Sequence, residues 1–408
     1  MRRIPARPRR ARRARIALYG HDTCGLGHLQ RNLALAGALS ELPGGADVLL
    51  VTGSPHAQRF SRPPGVELLV LPAVRKTTDG EYRADVLDIP LEDLVDLRAA
   101  AATAALLAFD PDVFIVDKTP TGFRGELLSA LSALRHNGTT NILGLRDVLD
   151  SPEVAAAEWI RDQGPEAAAD LFEEVWVYGD AEVHDLTRDL GAGAGFRFLG
   201  YLAEGRPEVA DPLPRNDPRS RTVLATVGGG IDAAALVRTL VATPLPARTE
   251  LVLLPGPFAD EQLRGELDRA AATRRDLHVV GFSAAASHWL AEADAVVCMG
   301  GYNTVTEILA TDTPALVVPR TRPRREQLVR ARSLQRVGAL DLLPLPDPGR
   351  PAPADLAAWI TAALGGGAAQ RDRLVTARTR IARDGLDAVR DRTAELLDAT
   401  QELISRAQ

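Results

Sequence analysis

Three glycine-rich segments of this sequence could each bind an anionic ligand at the start of a helix. The first is Gly25-Leu26-Gly27-His28, and the others run from Thr226 to Gly230 and from Met299 to Glu307. Each follows a short apolar run and precedes a helical pattern. Glycine lets the backbone approach a ligand closely, and a helix N-terminus offers unpaired N–H groups and positive potential. The repeated arrangement is typical of phosphate or diphosphate binding.

His28 is the titratable side chain of the first segment, and an imidazole there could remove a proton near neutral pH. A tight turn with a surface histidine is the competing interpretation, because the motif is short. The segment is not a dinucleotide fingerprint, since Gln30 stands where the third glycine would be. Asp117 and Lys118 end a later apolar run, and Asp117 is the better candidate to orient His28.

The third segment adds a carboxylate to the glycine pattern. Glu307 follows Gly300 and Gly301 within the first turns of the predicted helix, where it could accept two hydrogen bonds from a ribose diol. The alternative is a capping box from Thr304 to Glu307, in which the glutamate only satisfies the helix N-terminus. Both interpretations fit the sequence alone.

Two further segments have an ordinary structural alternative. Arg320 to Gln327 follows another strand pattern and could supply guanidinium groups to phosphate and polar groups to a sugar, although solvated arginine runs are common. Gly228, Gly229 and Gly230 could approach a diphosphate, or form a flexible turn into a helix capped by Asp232.

The elements around these segments predict an α/β fold. Short, nearly continuous apolar runs alternate with longer amphipathic ones from Arg15 onward, which implies parallel sheets covered on both faces. A stretch rich in proline and charge interrupts the alternation once. We therefore predict two doubly wound, Rossmann-like domains with ligands at the strand ends that face the cleft. The expected boundaries are a basic disordered tail 1–14, an N-terminal domain 15–203, a linker 204–220, a C-terminal domain 221–355, and terminal helices 356–408 that could cross back.

Composition excludes several classes of protein. The 408 residues carry a net charge of -6 and 46% hydrophobic residues, which is ordinary for a globular protein and argues against nucleic acid as the main partner. No apolar run is long enough for a transmembrane helix or a secretory signal. The two cysteines, Cys24 and Cys298, are isolated, which argues against a disulfide scaffold or structural zinc. We expect a cytoplasmic protein.

The motifs together resemble a known family. Tyr19 to Leu29 resembles the opening of GT-B glycosyltransferases of the family that contains the peptidoglycan N-acetylglucosaminyltransferase and the plant galactolipid synthases. Gly300 to Glu307, Pro314 to Pro319 and Arg324 to Gln327 resemble the nucleotide-sugar donor site of that family, known as family 28. The resemblance covers about residues 15 to 340, is more specific in the C-terminal half, and is greatest to a bacterial subgroup of predicted glycosyltransferases.

The resemblance implies GT-B architecture and an inverting, metal-independent transfer without a cofactor. The donor would be a UDP-sugar, with N-acetylglucosamine as the suggested sugar, and the acceptor a small or lipid-linked molecule on the N-terminal domain. His28 would be the general base. The implied donor-binding residues are Gly27, Thr226, Gly228, Gly229, Gly230, Phe282, Ser283, Gly300, Gly301, Asn303, Thr304, Glu307, Arg324, Glu326 and Gln327. Within this set, Glu307 would hold the ribose, Phe282 and Ser283 the uracil, and Glu326 and Gln327 the sugar.

Other functions fit the same motifs. A nucleotide-sugar hydrolase could use His28 to activate water, and a donor-binding subunit could depend on a partner chain for its acceptor. An epimerase of related architecture is a third alternative. A lipid-linked acceptor would bring the protein to the inner membrane face, where the eight arginines before Ile16 could contact anionic headgroups. A disordered tail is the competing interpretation of those arginines.

Overall fold

The structure, a computed structural model, describes residues 12–21, 26–77, 81–192, 195–203, 211–229, 232–281, 283, 285–344 and 351–406. Two predicted donor-site residues, Gly230 and Phe282, lie outside the described residues. So do Cys24, residues 1–11 of the basic tail and residues 204–210 of the linker.

The N-terminal unit is built on a parallel sheet. Across the described residues this sheet has seven strands in the order β3-β2-β1-β6-β7-β8-β9, and β4 and β5 form a separate antiparallel hairpin. The strands are β1 Ala14–Gly20, β2 Ala46–Thr52, β3 Val66–Val70, β4 Val74–Lys76, β5 Tyr82–Ala84, β6 Val113–Asp117, β7 Thr140–Arg146, β8 Glu174–Tyr178 and β9 Phe196–Phe198. The helices are α1 Gly27–Ser40, α2 Leu91–Phe109, α3 Leu128–His136, α4 Pro152–Arg161, α5 Gly164–Leu171 and α6 Leu186–Leu190.

The C-terminal unit repeats this plan. Its sheet has six described strands, again parallel, in the order β12-β11-β10-β13-β14-β15. The strands are β10 Arg221–Thr226, β11 Thr249–Leu254, β12 Leu277–Val279, β13 Ala295–Cys298, β14 Ala315–Val317 and β15 Asp341–Leu342. The helices are α7 Ala234–Ala242, α8 Glu261–Thr273, α9 Ala286–Glu292, α10 Tyr302–Leu309, α11 Glu326–Arg336, α12 Pro353–Gly365, α13 Ala368–Thr379 and α14 Gly385–Arg406.

Both sheets reverse their strand order beside the first strand, and such a switch point is where doubly wound folds bind ligands. In the N-terminal unit the switch lies between β1 and β6, which places the start of α1 beside Asp117. In the C-terminal unit it lies between β10 and β13, which are followed by Gly228 and Gly300. The predicted glycine segments therefore occupy both switch points.

The two units share a hydrophobic core. One cluster of buried side chains runs from Ile16 and Tyr178 in the N-terminal sheet to Tyr302 and Ile308 of α10. Helix α14 also packs on α1, and Arg392 of α14 pairs with Glu174 at the start of β8. Because side chains from both units line one core, the cleft between them has a defined geometry.

The boundaries differ from expectation at two places. Strand β1 already begins at Ala14, and the Arg12 guanidinium donates to Asp112 at 3.0 and 3.1 Å, so the expected disordered tail does not extend to residue 14. The Asp112 carboxylate, in the loop before β6, provides the anion that anchors this segment. Helix α12 packs its buried Leu356 and Ile360 on the C-terminal sheet, so this unit extends past residue 355. Helix α14, later in the predicted terminal segment, does cross back and packs on α1. No helix within the described part of the chain is long and apolar enough to cross a membrane.

A buried ion pair holds the loops at the carboxyl edge of the N-terminal sheet. Arg98 of α2 and Glu126 are both fully buried, and the guanidinium donates to the carboxylate at 2.6 and 2.8 Å. Arg98 also donates to the Pro72 carbonyl oxygen at 2.6 Å, and the Tyr19 hydroxyl donates to Glu126. This one group therefore connects β1 with α2 and with the loop that follows β3.

Replacing Arg98 with methionine should lower the free energy of unfolding by about 3–5 kcal/mol, because Glu126 would stay buried without its cation. The midpoint of urea denaturation, followed by circular dichroism, measures this. Arg75→Met, the same change at an exposed arginine, should alter stability by less than about 0.5 kcal/mol. A double variant Arg98→Met/Glu126→Gln should recover part of the loss, and a loss that persists undiminished would contradict the explanation.

Candidate active site

The first switch point brings His28 and Asp117 together. His28 is the second residue of α1, and Asp117 is the last residue of β6. The imidazole Nδ1 lies 2.6 Å from Asp117 Oδ2. A carboxylate can only accept, so this shorter contact assigns the hydrogen to Nδ1 and leaves Nε2 with its lone pair. Arg31 Nη2 also lies 3.0 Å from Nδ1, but a guanidinium can only donate, so its hydrogens bond Asp117 in this tautomer. This is the tautomer that a general base requires.

Burial controls the charge of His28. Desolvation lowers the pKa of His28 to about 4, and the nearby positive charge of Arg31 adds to this, although the Asp117 carboxylate opposes it. The pKa of Asp117 is itself lowered, because Arg31 and His28 outweigh the effect of its burial. Near neutral pH the site therefore holds a neutral imidazole bonded to an ionised carboxylate.

Arg31 is the second partner of Asp117. It lies one turn after His28 on α1, is 3% exposed, and donates to the two Asp117 oxygens at 2.8 and 2.6 Å through one nitrogen and at 3.2 Å through Nε. A bidentate arginine fixes the plane of a carboxylate. The Asp117 oxygen that faces His28 is therefore held in position by Arg31.

Across the cleft, the guanidinium of Arg31 lies over an aromatic ring of the C-terminal unit. Its Cζ is 5.6 Å from the Tyr302 ring centroid, and Arg330 Cζ of α11 lies 5.5 Å from the same centroid. Arg330 is 1% exposed and donates to Asp147, which follows β7, at 2.7 to 3.0 Å. The Arg330–Asp147 pair thus joins the two units inside the shared core.

The second switch point forms the start of α10. Gly300 has φ +80°, and a Cβ there would lie 2.6 Å from Val317 Cγ1, so only glycine fits this turn. Gly301 caps the helix and Tyr302 is its first residue. Thr304 is therefore already inside the helix, which excludes the capping box with Glu307. Glu307 lies less than one turn after Thr304 and is half-buried.

Asn303 connects the two glycine segments directly. Its Nδ2 donates to the Gly27 carbonyl oxygen at 3.3 Å and to Gln30 Oε1 at 3.1 Å. The N-termini of α1 and α10, with their N–H groups, therefore lie side by side in the cleft. A Cβ at Gly27 or Gly301 would meet no atom within 4 Å, so the space beside both glycines is open.

The start of α11 contributes a second pair of predicted residues. Glu326 is 4% exposed; its Oε1 accepts from Arg320 at 2.7 Å, while its Oε2 is buried with no hydrogen-bond partner. Gln327 Oε1 accepts from the backbone N–H of Arg320 at 3.1 Å. A buried oxygen without a donor is rare in folded proteins, so Glu326 is available to a ligand hydroxyl.

Arg324 does not lie free in the cleft. Its guanidinium donates to Glu158 of α4 at 2.9 and 2.8 Å and to Asp150 at 3.2 Å. The predicted contact with a phosphate would require this ion pair between the two units to open.

The remaining predicted residues lie at the carboxyl ends of strands in the C-terminal sheet. Thr226 ends β10, Gly228 has φ +62°, and a Cβ at Gly229 would lie 3.3 Å from Phe258. Ser283 accepts from the backbone N–H of Ala285 at 3.0 Å, before α9. These residues surround the second switch point, although no hydrogen bond connects them to His28 or Asp117.

Two further cations lie in the cleft: Lys118, which the sequence already indicated beside Asp117, and Arg146, which sequence reasoning missed. Lys118 turns sharply after Asp117 with φ +69°, and burial with the charges of Arg146 and Arg324 lowers its pKa to about 8. Arg146 ends β7 with a buried Nε that has no partner, and burial lowers its pKa to about 10. Neither cation has a carboxylate partner among the described residues. Lys118 follows β6 and Arg146 ends the neighbouring strand β7, and this position at the strand ends was the signal that indicates a place in the cleft.

The imidazole of His21 lies against that of His28, with the ring centroids 4.6 Å apart. Its Nδ1 is buried without a hydrogen-bond partner, and burial lowers the pKa of His21 well below its usual value. His28 therefore has a second, neutral imidazole beside it.

Comparison with known proteins shows which family the C-terminal unit resembles. Residues 223–344 match the glycosyltransferase family 28 C-terminal domain. The UDP-N-acetylglucosamine--N-acetylmuramyl-(pentapeptide) pyrophosphoryl-undecaprenol N-acetylglucosamine transferase of Histophilus somni (strain 129Pt) is 30% identical over 135 residues, which cover 32% of this chain and 38% of that protein. The protein of the same name from Salmonella arizonae (strain ATCC BAA-731 / CDC346-86 / RSK2980) is 31% identical over 212 residues, 49% of this chain and 53% of its own. The chain thus spans between about a third and a half of these curated relatives.

Solved structures show the same fold over nearly the whole chain. The glycotransferase of kitacinnamycin has a TM-score of 0.62 at 19% identity and covers 95% of this chain and 99% of its own. The MurG protein of Acinetobacter baumannii has a TM-score of 0.56 at 16% identity, covering 93% and 98%. A UDP-glucosyltransferase from Polygonum tinctorium has a TM-score of 0.65 at 13% identity, covering 95% and 99%. The GT-B fold and the resemblance to family 28 glycosyltransferases are confirmed.

In an NMR titration of ring-labelled histidines, His28 should remain neutral down to about pH 4. Asp117→Asn should lower the pKa of His28 further, because the carboxylate is the group that favours the protonated ring. His28→Gln identifies the resonance, and circular dichroism shows that the Asp117 variant is folded. A His28 pKa at or above its ordinary value would contradict the geometry described above.

Proposed function

We propose that the protein is an inverting, metal-independent glycosyltransferase that moves a sugar from a UDP-sugar to an acceptor hydroxyl. The observation that carries this proposal is the contact between the starts of α1 and α10. It places the His28–Asp117 pair of the N-terminal unit beside the glycine turn of a family 28 C-terminal domain. A base and a nucleotide site on opposite walls of one cleft are what a single displacement requires.

His28 would act as the base. Its Nε2 accepts the proton of the acceptor hydroxyl as that oxygen bonds to the anomeric carbon, while the bond from this carbon to the diphosphate breaks. Attack from the face opposite the leaving group inverts the configuration. Asp117 stabilises the imidazolium that forms, because it already accepts the Nδ1 hydrogen.

The C-terminal unit would bind the donor. The N-terminus of α10 and the backbone at Gly228, Gly229 and Gly300 suit a diphosphate, and Lys118 and Arg146 add positive charge opposite them. These fixed charges would stabilise the departing UDP without a metal. Glu307 would bind the ribose, Ser283 would lie at the nucleobase, and Glu326 would bind the sugar through its unpartnered Oε2.

The N-terminal unit would bind the acceptor. A cavity of about 430 Å³ lies between the loops after β2 and β3, with Leu71, Pro72, Val86 and Leu87 in its wall. It contains no titratable group, so it can contribute binding energy and no proton transfer. The named relatives act on a pyrophosphoryl-undecaprenol acceptor. We therefore favour an acceptor with an apolar portion, which for a lipid-linked molecule would place the protein at the cytoplasmic membrane surface.

His28→Gln should lower kcat by about 10²- to 10⁴-fold and leave the dissociation constant of UDP unchanged. Calorimetric titration with UDP and a coupled assay of UDP release measure the two quantities. His278→Gln is the matched control, since His278 also bonds a carboxylate, Glu250, at 2.6 Å, but lies in β12 away from the cleft. Equal losses in both variants would contradict the assignment of His28.

Glu307→Gln should weaken UDP binding about 10- to 100-fold, because it removes a charge-assisted hydrogen bond. Glu261→Gln, at an exposed position of α8, is the control. The absence of any nucleotide diphosphate binding in the unmodified protein would overturn the proposal. Release of UDP and free sugar at the full rate without acceptor would indicate hydrolysis instead, and loss of activity in EDTA would contradict metal independence.

A further inference from the structure

Tyr302 occupies a position that donor binding alone does not explain. It is the first residue of α10, directly after Gly300 and Gly301, and is 4% exposed. Its hydroxyl donates to the Tyr178 carbonyl oxygen at 3.0 Å and accepts from the Leu202 N–H at 3.3 Å. Its ring therefore points away from the open cleft and into the core shared by the two units.

We propose that Tyr302 is a positioning residue, which holds Arg31 against Asp117 from the donor side and so fixes His28. Its effect on catalysis rests on the proposed function, whereas its effect on His28 does not.

The contacts of the Tyr302 ring support this role. Arg31 and Arg330 lie 5.6 and 5.5 Å from the ring centroid, and each guanidinium is bound to its own buried aspartate. An aromatic face attracts a cation most strongly where water is excluded. The Tyr302 ring therefore contacts both cations inside the core shared by the two units.

The hydroxyl and the ring have separable functions. The hydroxyl bonds backbone groups, Tyr178 and Leu202, that precede the C-terminal unit, so it can serve only to join segments of chain. The ring alone contacts Arg31. A phenylalanine would therefore keep the ring contact with Arg31 and lose the hydroxyl bonds to Tyr178 and Leu202. An aliphatic side chain would lose both kinds of contact.

The surroundings of His28 determine the direction of the effect. The groups that face its imidazole are Asp117 of β6, Arg31 of α1, His21 after β1 and Lys118 after β6. Burial, Arg31 and Lys118 favour the neutral ring, and Asp117 favours the charged one. Without the Tyr302 ring, water can enter beside Arg31, screen its charge and loosen its hydrogen bonds to Asp117. The carboxylate then acts mainly on the imidazole, and the pKa of His28 rises.

The test compares Tyr302→Phe and Tyr302→Leu with the unmodified full-length protein. An NMR titration of ring-labelled histidines, without any ligand, should give Tyr302→Phe the unmodified His28 pKa of about 4. Tyr302→Leu should raise it above about 5. Equal His28 pKa values in the unmodified protein and Tyr302→Leu would overturn the proposal, as would an equal rise in both variants, which would assign the effect to the hydroxyl.

The activity assay adds a second readout. For Tyr302→Leu the acid limb of kcat/KM should move to higher pH by the same amount as the His28 titration, while the dissociation constant of UDP stays unchanged. If UDP binding weakens while the acid limb of kcat/KM stays at the same pH, the substitution has damaged the glycine turn before α10, and the positioning role is rejected. If the unmodified protein transfers no sugar, the proposed function fails, and the ligand-free titration still decides the position of Tyr302.

If Tyr302→Leu does not fold, two other variants test the same proposal. Tyr302→Met fills more of the ring volume than leucine and still lacks an aromatic face, so the same rise in the His28 pKa is expected. Arg31→Lys probes the contact from the other side, because an ammonium keeps the charge but loses the planar, bidentate hold on Asp117. It should raise the His28 pKa as well, and an unchanged value in both variants would reject the proposal.

Discussion

The cleft depends on how four buried charges are neutralised. Arg31 and Arg330 are at most 3% exposed, as are Asp117 and Asp147, and an unpaired charge at such depth would cost several kcal/mol. The Arg31–Asp117 pair lies within the N-terminal unit, but the Arg330–Asp147 pair exists only when the two units are together. The Tyr302 ring contacts both pairs, with its centroid 5.6 Å from Arg31 Cζ and 5.5 Å from Arg330 Cζ. The relative position of the two switch points follows from this arrangement.

The same charges explain why His28 is suited to accept a proton. An imidazole beside a carboxylate alone would have a raised pKa and would be protonated, hence unable to act as a base. Here Arg31 satisfies most of the Asp117 charge and desolvation disfavours the imidazolium, so the ring stays neutral. Asp117 still fixes the tautomer through Nδ1. Asp117 thus orients a ring that stays in its neutral, proton-accepting form near neutral pH. The helix that carries His28 also carries Arg31, three residues later.

The sequence predicted the fold and the strand-end residues of the site better than it predicted the contacts between the two units. Strand ends and glycine turns follow from local pattern, so Asp117 was correctly placed beside His28 and Gly300 at the start of a helix. Arg31 and Arg330 were missed because an arginine inside an amphipathic helix looks like a solvated residue until the opposing unit covers it. Arg324 was predicted to face a phosphate for a related reason: the positions of Glu158 and Asp150, about 170 residues earlier, depend on tertiary structure. The start of α10 at Tyr302 excludes the capping box at Glu307, and its contact with a ribose stays a prediction.

The two ion pairs that link the units differ in how readily a ligand could replace them. Arg330 and Asp147 have no access to water, so separating them would leave both charges unsolvated. The Arg324 side chain is 33% exposed and that of Glu158 24%, and water can solvate both when they separate. Asp150 would remain bonded to the Arg325 and Ser151 N–H groups at 2.8 Å. An incoming phosphate could therefore replace Glu158 and Asp150 as the partner of Arg324 at a small cost in free energy. The Arg330–Asp147 pair would meanwhile keep the two units aligned. The ion pair of Arg324 is thus compatible with its predicted contact with the donor phosphate.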